Sequence, residues 1–162
     1  MAVARYLADK SVWARLSQPA VHAVVAPYTD RGFIGTCPII DLEILFSARS
    51  GKEHNHFRAQ REAFEYFPMT DEIARRAIEV QGLLAHRAQH RSVSIPDLIV
   101  AATAERYSLI VLHYDADYDR IAELTGQRTE WVVPRSLILL SVAGQLPSLM
   151  PIASRSVRLQ RL

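Results

Sequence analysis

Short apolar runs at residues 3–8, 33–36, 109–112 and 131–133 are separated by longer stretches in which apolar residues recur at three- and four-residue spacing. Runs this short suit strands covered on both faces, whereas the longer periodic stretches suit helices. Strand and helix thus alternate from residue 3 to residue 133, which predicts an α/β sandwich around a mostly parallel sheet of four or five strands. In such sheets ligands gather at the C-terminal ends of the strands, so the residues that follow the apolar runs bear most directly on function.

The helical segments have recognisable ends. Residues 19–30 open on Pro19 and stop at Gly32; residues 38–49 open on Pro38 and carry Ile40, Ile44, Leu45 and Ala48 at helical spacing. Residues 52–65 are highly charged and 71–90 are amphipathic through Ile73, Ala77, Val80, Leu84 and Ala88, and the two are expected to pair antiparallel across Pro68. Ser94-Ile95-Pro96-Asp97 combines a capping serine, a first-turn proline and an acid near the positive end of a helix that runs on through Ala101, Ala102 and Ala104. Residues 118–125 form a last helix closed by Gly126. Residues 137–162 do not continue the alternation; the expected division is one domain over 1–134 and a basic, apolar C-terminal extension over 135–162.

A net charge of +2 does not announce a nucleic-acid binder. Arg135, Arg155, Arg158 and Arg161 belong to an acid-free end, so the first 134 residues hold 15 basic groups against 17 acidic ones. A phosphate-binding body of that sign needs a local basic rim or bound cations. Cys37 is the only cysteine, which excludes an intrachain disulfide and a cysteine-rich zinc site. The N-terminus lacks an apolar signal region and no stretch reaches the roughly 18 apolar residues of a membrane span, so a cytoplasmic protein is expected.

Asp9 and Asp115 follow apolar runs, Asp97 begins a helix, and Glu43 lies in the otherwise apolar CPIIDLEILF. Each acid has a local reading: Asp9 can cap a helix, Asp97 can answer a helix dipole, Glu43 can pair with Arg49 or face solvent, and Asp115 and Asp117 can serve a turn. Carboxylates gathered in apolar surroundings lose hydration and repel one another unless cations neutralise them. An all-oxygen set selects hard ions such as magnesium or manganese, and an ion of that kind suits phosphodiester hydrolysis.

The blocks YLADKSVW (6–13), PIIDLEILFSAR (38–49), SIPDLIVAATAE (94–105) and LHYDADYDRIAELTG (112–126), followed by EWV (130–132), resemble in order and spacing the PIN-domain nucleases, and within them the VapC-type toxins. The resemblance implies a PIN-like three-layer α/β/α sandwich. It implies Asp9, Glu43, Asp97 and Asp115 as catalytic metal-coordinating acids, Asp117 as a further acid of the last block, and Ser11 as a hydroxyl that organises the site. It also implies a Mg²⁺- or Mn²⁺-dependent endoribonuclease acting on tRNA or rRNA by water attack on phosphorus, a homodimer, and inhibition by a VapB-type antitoxin. No counterpart in the family is placed for 137–162.

Other residues carry weaker signals. His54, His56 and His90 lie in polar stretches and read as solvated surface, while His113 stands beside Asp115. Arg15, Arg49, Arg87 and Arg91 are candidates for a basic rim, and Trp13 for stacking on a base. A phosphotransferase built on a strand-end aspartate needs a downstream lysine, and this chain has only Lys10 and Lys52. The remaining alternative is a noncatalytic module that grips RNA or an antitoxin peptide with an acidic pocket.

Overall fold

The structure, a computed structural model, describes residues 3–135. In chain order its elements are β1 (Tyr6–Ala8), α1 (Lys10–Trp13), α2 (Pro19–Asp30), β2 (Ile34–Thr36), α3 (Pro38–Phe46), α4 (Gly51–Arg61), β3 (Glu65–Tyr66), α5 (Asp71–His86), α6 (Ile95–Arg106), β4 (Ile110–His113), α7 (Asp117–Thr125) and β5 (Thr129–Trp131). The strands form one sheet in the order β3-β2-β1-β4-β5 with every pairing parallel.

Strand pleating divides the core into two layers. Leu7 lies opposite Val111, and both face α3, α5, α6 and α7, where Ile40, Ile73, Leu84, Leu98 and Ile121 are buried. Ala8 lies opposite Leu112, and both face α1 and α2, where they meet Val12, Val21 and Val25. The expected α/β/α sandwich is therefore present, with β1 and β4 buried on both faces. Ala101, Ala102 and Ala104 of α6 are all buried, which lets that helix sit close to β1 and β4.

Three local expectations are corrected. The last strand is Thr129–Trp131 instead of 131–133; the Val132 amide still donates to the His113 carbonyl (2.8 Å), and the Val132 and Val133 side chains plug the core beneath α1 and α2. The charged helix ends at Arg61, and Glu65–Tyr66 forms a short edge strand that the sequence does not signal because both residues are exposed. Its pairing with Gly35 and Thr36 and the bond from the Ala4 amide to the Glu65 carboxylate (2.7 Å) define it instead. The two central helices do not form the expected pair: α4 packs on α3, and α5 packs on α6 and α7. The amphipathic face of α5 is satisfied by helices of its own layer.

Gly35 is where β2 and β3 approach closely. A Cβ there would collide with the ring edge of buried Phe67 and lie 3.0 Å from the Glu65 carbonyl. Gly35→Ala is expected to destabilise the fold by about 1–3 kcal/mol in urea unfolding, part of which Phe67→Leu in the same chain should restore.

Candidate metal centre

The connections leave β1 toward β2 on one side and return to β4 on the other, which opens a crevice at the C-terminal ends of β1 and β4. Asp9 emerges there at the end of β1 and is only 4% exposed. It caps α1, its Oδ2 accepting the Ser11 amide at 2.8 Å. The Ser11 hydroxyl in turn accepts the Tyr114 amide at 3.0 Å, so it ties the turn after β1 to the turn after β4.

Asp97 lies in the first turn of α6 at 9% exposure. The Ser94 hydroxyl accepts the Asp97 amide (3.2 Å) and donates to its Oδ2 (2.6 Å), so the cap that starts α6 also sets the carboxylate. Asp115 follows β4, and its Oδ1 accepts the Asp117 amide at 3.0 Å; Asp117 opens α7 and pairs with Arg120. Oxygens of Asp97, Asp115 and Asp117 lie within 4.8 Å of one another. Asp9 and Glu43 stand outside that triplet.

Asp9 is joined to it by a residue the sequence analysis did not single out. Tyr118 is fully buried on the inner face of α7, and its hydroxyl reaches Asp9 Oδ1 (2.9 Å) and Asp97 Oδ1 (3.2 Å). Burial and the two neighbouring carboxylates push its pKa well above the ordinary value, so it is a neutral donor. The signal for it is helical spacing: Tyr118 shares a face with Ile121, and a buried tyrosine needs a partner for its hydroxyl.

Glu43 projects from α3. Its Oε1 lies 3.9 Å from the Lys10 ammonium, and its Oε2 is buried with no hydrogen-bond partner among the described residues. Burial pushes its pKa up, reinforced by Asp9 and Asp97 and opposed by Lys10. Burial likewise pushes Asp97 up to about 6, against the Ser94 bond and with the charges of Asp9 and Asp115 adding to the rise. Asp117 is raised by burial and by Asp115, with Arg120 opposing. An orphaned carboxylate oxygen beside acids that resist ionisation fits a hard divalent cation, since the donors are all oxygen and the charge they carry is in excess.

The local readings of the acids coexist with this convergence. Asp9 is a helix cap and a cluster member at once; Asp115 is a turn residue and a cluster member. Glu43 pairs with Lys10, while the Arg49 amide bonds Glu53. His113 is buried, its Nδ1 accepting the Asp115 amide (3.3 Å) and its ring packed between Tyr118 and Trp131, and burial lowers its pKa. It orients Asp115 and is sealed from solvent. Arg15 lies over the Tyr114 ring, and Trp13 donates to the Ala8 carbonyl; His54, His56, His90, Arg49, Arg87 and Arg91 are exposed.

The profile of the PIN domain family matches residues 6–124. The chain belongs to the PIN-domain family. Among curated relatives, Ribonuclease VapC51 of Mycobacterium tuberculosis is 45% identical over 134 residues, covering 83% of this chain and 97% of that protein. Ribonuclease VapC21 of the same species is 46% identical over 130 residues, covering 80% and 94%. Among solved structures, the DNA-bound VapBC of Salmonella typhimurium superposes with a TM-score of 0.63 at 16% identity, covering 81% of this chain and all of that one. A toxin-antitoxin complex from Klebsiella pneumoniae gives 0.62 at 16% identity, covering 79% and 98%. At such identities the structural likeness speaks for the PIN fold, and the sequence relatives speak for the family.

The raised Asp97 pKa has a consequence for the metal-free PIN domain. An unfolded aspartate titrates near about 4, so between about pH 4 and 6 the folded chain holds a proton that the unfolded chain releases. The stability contributed by that proton is full below the unfolded value and is lost as pH rises through about 6. In EDTA, lowering the pH from about 7.5 to about 5 is expected to stabilise the parent more than Asp97→Asn, by on the order of 1 kcal/mol in urea unfolding. Removing the phenol donor by Tyr118→Phe should cost about 1–3 kcal/mol in the same assay.

Proposed function

We propose that this chain is a divalent-cation-dependent endoribonuclease that hydrolyses RNA and acts as the toxin of a toxin-antitoxin pair. The observation that carries the reading is the orphaned Glu43 oxygen in a crevice where Asp9, Asp97, Asp115 and Asp117 gather at the sheet's C-terminal edge. Asp9, Glu43, Asp97 and Asp115 hold the ion, Asp117 supports it from the start of α7, and Ser11 fixes the spacing of the two turns that carry Asp9 and Asp115. The ion is Mg²⁺, with Mn²⁺ able to replace it. When bound, it offsets the carboxylate charge, attracts the RNA phosphate and makes a coordinated water more acidic.

The protein's own part is preorganisation. Both Asp9 oxygens already accept hydrogen bonds, from Ser11 and Tyr118, which suits a ligand held in place and does not suit a nucleophile that must attack. His113 is buried with its Nδ1 accepting the Asp115 amide, and a metal-activated water needs no imidazole base. This arrangement supports the water attack on phosphorus, without a covalent intermediate, that the family resemblance implies, and the same resemblance supplies tRNA or rRNA as the substrate class.

The partner is a VapB-type antitoxin, in keeping with the toxin-antitoxin complexes among the structural neighbours. An apolar cavity of about 650 Å³, lined by Lys10, Trp13, Leu16, Ile44, Phe57 and Phe64, is of the size and chemistry to take an apolar segment of it. A homodimer that joins antitoxin in a larger complex, a nuclease unit spanning 1–134 and action in the cytoplasm complete the proposal. No helix among the described residues is long and apolar enough to cross a membrane. The expected extension lies, apart from Arg135, outside the described residues.

Incubating total RNA with the purified chain is expected to give cleavage in Mg²⁺ and none in EDTA, and Asp9→Asn and Asp97→Asn should each lower the rate by on the order of a hundredfold or more. Cleavage that survives EDTA, or persists in both variants, would overturn the mechanism. RNA bound tightly but left uncut by the parent in Mg²⁺ or Mn²⁺ would favour the noncatalytic binding module.

A further inference from the structure

Arg61, the last residue of α4, is only 6% exposed, and a guanidinium so deeply buried must have its charge and its donors matched. Its Nε donates to Asp41 Oδ1 at 2.7 Å and its Nη2 to the Thr36 hydroxyl at 2.6 Å, while that hydroxyl donates to the same Asp41 oxygen at 2.6 Å. The plane is covered by Phe64 (4.4 Å) and Trp13 (4.9 Å). Trp13 in turn donates through Nε1 to the carbonyl of Ala8, the residue before Asp9. One cation thereby ties together the ends of β1 and β2 and the start of α3.

The destination of that link is Glu43. Asp41 and Glu43 are two residues apart on α3, which places them on nearly opposite sides of the helix. Glu43 has little of its own to fix it: one oxygen stands 3.9 Å from Lys10 and the other is unpartnered among the described residues. The Cys37 side chain makes no cap at the start of α3, so side-chain capping does not hold that end either. Ile40 anchors that end in the core, and the grip of Arg61 and Thr36 on Asp41 adds the side-chain hydrogen bonds that fix how the helix is turned.

We propose that Arg61, acting through Asp41, is a positioning residue that sets α3 so that Glu43 meets the acids after β1 and β4. The proposal rests on Glu43 being a metal ligand, and the test separates the two ideas. Mn²⁺ affinity of the full-length chain is measured by titration calorimetry for Arg61→Met, Asp41→Asn, Glu43→Gln and the double variant Arg61→Met with Glu43→Gln, with thermal unfolding in EDTA recorded alongside. Arg61→Met and Asp41→Asn are each expected to weaken Mn²⁺ binding roughly tenfold, and in the Glu43→Gln background Arg61→Met should add no further loss. Asp41→Asn removes the charge that pairs with Arg61 while keeping the size of the side chain, and supplies the answer if Arg61→Met does not fold.

A lowered melting temperature with parental Mn²⁺ affinity would overturn the proposal and leave Arg61 a structural tie. So would a loss that adds in full to that of Glu43→Gln. Parental affinity in Glu43→Gln itself would instead remove Glu43 from the ligand set, and the positioning role with it.

Discussion

The constraint on which the rest of this structure depends is the mutual repulsion of carboxylates drawn into one crevice. A parallel sheet brings the ends of β1 and β4 side by side, and this chain places Asp9 after one and Asp115 after the other, with α6 and α3 supplying Asp97 and Glu43. Uncharged donors absorb part of the cost: the Ser11 amide, the Ser94 hydroxyl and the Tyr118 phenol each meet a carboxylate oxygen. Such bonds satisfy the oxygens without cancelling their charge. Burial, reinforced by that repulsion, raises the pKa values of Asp97, Glu43 and Asp117, and one Glu43 oxygen has no hydrogen-bond partner among the described residues.

Most of the scaffold was legible in the sequence because its signals are local. Pro19, Pro38 and the Ser94-Ile95-Pro96 start mark helices that begin where expected, and the apolar runs mark β1, β2 and β4. β3 was not legible, since Glu65 and Tyr66 become a strand only through the neighbour they meet. The partnering of α4 and α5 was misread for a related reason: an amphipathic face states that it must be covered, and leaves open by what.

At the centre, the acids were expected together from their order along the chain; the structure brings Asp97, Asp115 and Asp117 closest and leaves Asp9 and Glu43 outside that triplet. Their supports were less legible. Tyr118 looks like an ordinary core residue of α7 until its hydroxyl is followed to Asp9 and Asp97, 109 and 21 residues away in the chain. Asp41 and Glu43 look like neighbours with one role, yet the helix turns one toward Arg61 and the other toward the crevice. Charge patterns along a chain reveal which groups are unusual; which of two adjacent carboxylates is neutralised by protein depends on a cation 20 residues away.

The shape of the sheet also governs how copies of this chain can meet. Its edges are a two-residue strand, β3, and a three-residue strand, β5, with Val132 and Val133 folded inward directly after the latter. So little unpaired backbone gives a foreign strand almost nothing to template on. Among the described residues, association with itself or with a partner is thereby left to side-chain surfaces, whose chemistry can discriminate between partners where a row of peptide groups cannot.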